Sequence, residues 1–128
     1  MNPTPHIAGE LTLRTLAMPG DANAAGDIFG GWVMAQMDLA SGIRAAERAR
    51  GRVVTVAVNE MVFKLPVKIG DTLCVYTDIV KVGRTSITLS VEAWAQRYLR
   101  HEMDKVTAAV FTMVALDFDG KPTAVPDE

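Results

Sequence analysis

"NAAGDIFGGWVMAQMDLASG", residues 23–42, starts as a glycine-punctuated loop and continues as a helix. From about Gly30 to Arg50 there is no proline and alanine is frequent, and Gly51 stands where a helix-terminating glycine belongs. Arg44, Arg48 and Arg50 gather towards that end, as the helix dipole favours. Upstream, residues 10–18 alternate as a short strand, and 19–27 hold the Pro-Gly, Asp and Asn residues of a loop. Downstream the period changes from helical to two-residue. Strands are expected at 52–66, 72–83, 84–99 and 106–117, with a turn at 67–71 and a polar turn at "RHEMDK". Within 84–99, Ile87, Leu89, Val91 and Ala93 fall on a covered face and Ser86, Thr88, Ser90 and Glu92 on a wetter one.

One strand, one long helix and four consecutive strands predict an α+β fold in which the helix covers an antiparallel sheet of about five strands. No βαβ alternation is present, which excludes nucleotide folds of the doubly wound kind. The 128 residues make a single domain, 1–128, with residues 1–9 as a loose N-terminal tail. Apolar residues at 49% and charged residues at 22% belong to a globular chain rather than a disordered one. A formal net charge of -2 does not point to a nucleic-acid partner, although a local basic patch for a phosphorylated ligand is compatible with it. Cys74 is the only cysteine and His6 and His101 are far apart, so neither a disulfide nor a metal site is expected. The N-terminus lacks the basic-then-apolar order of a signal peptide, and no apolar run approaches a bilayer span. The expectation is a reduced, cytoplasmic protein without a membrane partner.

Asp38 is the unusual residue. At 100° per residue its face collects Gly31, Met34, Ala35, Ser41, Gly42, Ala45 and Ala49, with Gln36, Glu47 and, towards the edges, Arg44 and Arg50 on the opposite side. A carboxylate on a small, apolar face needs a partner or a task. It bonds a serine or backbone amide, or pins a contact with another chain, or serves a ligand as general base. The glycines at 26, 30 and 31 bring backbone N–H groups close to whatever sits at the helix start, where an oxyanion is stabilised. Asn23 lies just upstream. Together these are the parts of an acyl-group hydrolase.

The segments "NAAGDIFGGWVMAQMD", "GRVVTVAVNEMVFKLPVKIGD" and "VGRTSITLSVEAW" resemble the hotdog-fold acyl-CoA thioesterases, most closely the YciA-type acyl-CoA hydrolases. The resemblance runs from about Gly9 to Pro126. It implies a hotdog fold, edge-to-edge dimers with the active site shared between subunits, and assembly of three dimers into a hexamer. It also implies thioester hydrolysis with Asp38 as general base or nucleophile, Asn23 acting across the interface and the Gly31 amide holding the thioester oxygen. No cofactor is required, since CoA is part of the substrate and a product. Lys81, Arg84, Thr85 and Ser86 match the family's CoA-contacting segment, and Lys64 is a further candidate for its phosphates. Any longer C-terminal tail that helps relatives hold CoA is expected to be missing after "AVPDE". Trp32 and Phe29 read as core or interface, while Met34 and Met37 are either core or the lining of an acyl tunnel. Two rival readings are a non-catalytic acyl-CoA-binding module and a hotdog hydratase. The latter would need a well-placed histidine, which neither His6 nor His101 supplies.

Overall fold

The structure is a computed structural model and describes residues 7–128. Of the expected tail, residues 1–6 lie outside the described residues. The elements are β1 (Glu10–Leu16), a single 3₁₀ turn (Pro19–Asp21), α1 (Gly30–Ala49), β2 (Val53–Asn59), β3 (Thr72–Val82), β4 (Ser86–Gln96) and β5 (Met103–Ala115). All strand pairs are antiparallel, in the order β1-β3-β4-β5-β2, so β1 and β2 are the two sheet edges. The α1 helix lies across one face of the sheet and touches every strand.

Small residues set that packing. Ala40, Ala45 and Ala49 let the helix approach closely, and Val33 and Met37 join Leu73, Leu89 and Phe111 in one buried cluster. The alternation expected in β4 is seen on its inner side, where Ile87, Leu89, Val91 and Ala93 are fully buried. On its outer side Ser86, Thr88 and Ser90 are half-buried, but Glu92 is buried. Its carboxylate accepts a 2.9 Å bond from the Trp94 indole N–H and lies 3.7 Å from the Lys105 ammonium. No helix among the described residues is long and apolar enough to cross a membrane.

Three boundaries differ from expectation. The helix ends on Arg50 rather than Gly51: Arg50 takes the left-handed conformation (φ 54°), and its N–H bonds the Ala46 carbonyl. The strand expected over 52–66 stops at Asn59. Beyond it the chain peels away and is held singly, by Lys64 N–H on the Val106 carbonyl and the Thr107 hydroxyl on the Val62 carbonyl, both at 2.8 Å. The β4–β5 turn is also earlier than "RHEMDK", since β4 ends at Gln96 and β5 begins at Met103.

Arg44 and Arg48 do more than complement the helix dipole. Arg44 bonds the Thr77 carbonyl at 2.9 Å and pairs with Glu10 at 3.0 Å, tying the helix to β1 and β3. Arg48 bonds the Pro126 carbonyl at 2.6 Å and so fastens the C-terminal segment.

Candidate active site

Asp38 is not on the packed side of the helix. The buried face comprises Val33, Met37, Ala40, Ser41, Ala45 and Ala49, and Asp38 lies beside it, exposed, with Met34, Leu39 and Ile43. The helical wheel separates Asp38 from other charges correctly but does not say which apolar arc meets the sheet. Ser41 spends its hydroxyl on the Met37 carbonyl, 2.8 Å away within its own helix. The partner of Asp38 is instead a residue not anticipated from the sequence. The Thr55 hydroxyl donates to Asp38 Oδ1 at 2.5 Å, the short end of the range for a hydroxyl on a carboxylate.

A bulge just after Thr55 shapes the cleft around that bond. Thr55 pairs with Met113 and Ala57 with Thr112, leaving Val56 as the extra residue in β2. In a regular strand Thr55 and Val58 would point to opposite faces. With Val56 inserted, both line one cleft with Asp38, Gly31, Met34 and Phe111, about 320 Å³ in volume. The signal in the sequence was a lone threonine in "RVVTVAVNE", where every neighbouring position is compatible with a plain strand. Of the two methionines, Met34 lines this cleft, whereas Met37 is core.

Gly31 shares that cleft, at the start of α1. The N-cap residue Phe29 offers no side-chain oxygen; its carbonyl accepts the Trp32 and Val33 N–H groups, and the Gly30 and Gly31 N–H groups are left without a partner among the described residues. A Cβ built on Gly31 meets nothing within 4 Å, so this position of the helix borders open space on its cleft side. The dipole and the free donors both favour negative charge there.

Asn23 lines neither of the clefts that hold Asp38. It organises the loop instead. Its side-chain oxygen accepts N–H bonds from Ala25 at 3.0 Å and Asp27 at 3.1 Å, and its own N–H bonds the Asp27 carbonyl at 2.8 Å. This fixes the amide orientation and leaves the NH₂ group facing outward as a donor. A salt bridge from Lys68 to Asp27 and the bond from Ile28 N–H to the Val67 carbonyl fasten the same loop to residues 67–68.

The phosphate candidates separate into two places. Lys81, Arg84, Thr85 and Ser86 sit on the β3–β4 hairpin, with Lys81 and Arg84 exposed and free of carboxylate partners among the described residues. The hairpin backbone is fixed from three sides: Gly83 N–H on the Ser86 carbonyl, Ala115 N–H on Thr85, and Val125 N–H on Arg84 at 2.7 Å. A Cβ on Gly83 would fall 2.9 Å from Ser86 Oγ, so a side chain there would oblige the Ser86 hydroxyl to turn aside. Lys64, in contrast, lies by the helix start beside Val106, whereas Ser86 pairs with Val114. Eight residues of β5 separate these points, on the order of 25 Å. Within one chain Lys64 and the hairpin do not reach a common phosphate. His101 is exposed in the β4–β5 turn, and His6 lies outside the described residues.

Comparison with known proteins places this geometry in context. Residues 25–98 match a family model described as the thioesterase superfamily. The chain is 51% identical, over 98% of its length and 96% of the relative's, to the acyl-CoA thioester hydrolase YciA of Salmonella typhimurium. Its structure is similar to that of the hexameric thioesterase y2039 of Yersinia pestis, with a TM-score of 0.92, 50% identity and coverage of 95% of this chain and all of that one. HI0827, described as a hexameric broad specificity acyl-coenzyme A thioesterase, also has a TM-score of 0.92 at 50% identity, covering 97% and 86% of the two chains.

Proposed function

Since the chain belongs to the hotdog-fold thioesterase superfamily, we propose that Asp38 is the working carboxylate of its acyl-CoA hydrolysis. Acyl-CoA and water give a carboxylic acid and free CoA. The observation that carries this assignment is the exposed Asp38–Thr55 pair, which opens into the same cleft that Gly31 lines at the helix start. The Thr55 hydroxyl holds one oxygen of Asp38 and leaves the other free to take a proton from water or to attack the thioester carbonyl directly. The Gly31 N–H receives the oxyanion that develops. Free CoA then departs as the thiol.

A single chain does not supply all of this at one point. Gly31 and Asp38 are seven residues apart, on the order of 10 Å along the helix axis. A carbonyl bonded to one is beyond the reach of the other. This supports a site shared across a dimer, with the amide of one subunit facing the carboxylate of its partner. The free edge of β2 supports the same reading. Val54, Val56 and Val58 are 41%, 56% and 41% exposed there, beside Met34, Leu39 and Ile43 on the helix. A free apolar edge of this kind invites strand pairing. Edge-to-edge pairing through β2 would continue the sheet from one subunit to the next, and three such dimers would make a hexamer, the state named for the similar structures of y2039 and HI0827. In the dimer, Asn23 approaches from the partner and donates its NH₂ to the carboxylate or to the water.

Lys81, Arg84 and the Thr85 and Ser86 hydroxyls of the hairpin are assigned to the CoA phosphates, with Lys64 serving only a group that enters near the helix start. Catalysis by these residues needs no cofactor beyond the CoA of the substrate. The lone buried thiol of Cys74 suits a reducing cytoplasm. The test is release of free thiol from acyl-CoA by the wild-type protein and by Asp38→Asn. Turnover in the first and its loss in the second, with CoA still bound, is the expected result. Equal turnover in both removes Asp38 from the mechanism.

A further inference from the structure

The segment 60–66, which alternates like a strand and leaves the sheet, forms one wall of a second cleft beside the helix start. This cleft is about 300 Å³ and is lined chiefly by Ile28, Gly30, Val33, Phe63, Leu65 and Val106. Val33 and Val106, 1% and 0% exposed, close its floor. The Phe63 ring lines it on the solvent side, 41% exposed, with 3.5 Å between the ring and a Cβ built on Gly30. The wall is anchored although it belongs to no strand. Val62 and Lys64 are fastened to β5 as described above, and the Arg97 guanidinium bonds the Pro66 carbonyl at 2.9 Å. Arg97 is itself held by the buried Asp71 at 2.7 Å and by Asp104 at 3.0 Å. Burial works against its charge, but the bonds to the two carboxylates outweigh this and raise its pKa further, so the clamp stays charged at any working pH.

The position of this cleft is as informative as its lining. Gly30 lines it, and the adjacent Gly31 lines the cleft that holds Asp38. Consecutive Cα atoms are about 3.8 Å apart, so the apolar seat begins one residue from the amide assigned to the thioester oxygen. We infer that this cleft seats the acyl chain and that Phe63 sets the chain length at which added methylenes stop contributing. The inference rests on the hydrolase reading above. Each methylene entering a dry apolar site raises affinity about fourfold. A volume at the lower end of the range for small-molecule sites fills with a short to medium chain, after which further methylenes stay in water.

Phe63 is 41% exposed, so its replacement leaves the core intact. The experiment measures kcat/KM by thiol release for straight-chain substrates from butyryl-CoA to palmitoyl-CoA, with wild type, Phe63→Ala and Phe63→Trp. In parallel, calorimetry gives the affinity of non-hydrolysable acyl-CoA thioethers of the same lengths. The expected result is a rise with length to a plateau, which moves to longer chains in Phe63→Ala and to shorter ones in Phe63→Trp. A thioether plateau at the same length in all three proteins overturns the inference. A plateau that moves in a protein releasing no thiol supports the seat and overturns the hydrolase reading alone.

Discussion

The two long sides of α1 are made of similar residues and end in opposite environments. One side, with Val33, Met37, Ala40 and Ala45, is sealed against the sheet; the other, with Met34, Leu39 and Ile43, is open and carries Asp38. Both are apolar, the sealed side mostly small and the open side with larger groups. The difference shows that an apolar arc indicates burial against something, without saying whether that partner is the same chain. On the sealed side the partner is the sheet. On the open side the proposed partner is a second subunit and, at Asp38, a substrate.

Substitutions on the two sides should therefore separate function, assembly and stability. The largest effect is expected for Asp38→Asn, with turnover falling by roughly 10²–10⁴-fold while CoA affinity and thermal stability stay near wild type. Steady-state kinetics with calorimetric binding checks this, and a stability loss as large as the kinetic one would erase the contrast between the sides. Leu39→Glu, also on the open side, should cost several kcal/mol per interface by burying an unpaired carboxylate. Sedimentation should then show smaller species with an unchanged helix and sheet signature by circular dichroism. Met37→Ala, on the sealed side, should remove about 2–5 kcal/mol of folding stability in denaturant titrations while the folded fraction keeps its turnover.

Thr55→Val tests the bond that joins helix to β2. Loss of a hydrogen bond to a charged group is worth about 1.5–3 kcal/mol, so kcat/KM should fall roughly 10- to 100-fold. An unchanged rate would reduce Thr55 to a packing residue. The smallest effect is expected for Arg84→Ala on the hairpin. KM for acyl-CoA should rise several-fold with little change in kcat, and the rise should shrink as added salt screens the contact. A change in kcat rather than KM would place Arg84 nearer the reacting atoms than the hairpin allows.

Much of the fold was legible because the periodicities were strong. The proline-free alanine-rich run marks α1, and the alternation of Ile87, Leu89, Val91 and Ala93 marks the centre of the sheet. The misreadings have local causes. Residues 60–66 carry strand-like apolar spacing, but their backbone is satisfied one bond at a time by Val106, Thr107 and Arg97. Arg50 rather than Gly51 turns left-handed because the helix ends one residue earlier than the glycine implies. In the site, Asp38 and Gly31 were visible through composition and position. Thr55 was not, because its role depends on its register opposite Met113 and on which side of α1 meets the sheet, and neither leaves a mark in a valine-rich strand. The separation of Lys64 from the hairpin was hidden for a similar reason, since it follows from register along β5.

The free edge of β2 has a thermodynamic corollary. If the valines and the open side of α1 are covered only when subunits pair, part of the free energy of folding is association free energy. The melting temperature of this protein should then climb with its concentration and fall on dilution. At low concentration the Asp38–Thr55 bond, which bridges α1 to that edge strand, would loosen before the core at Met37 and Phe111 does.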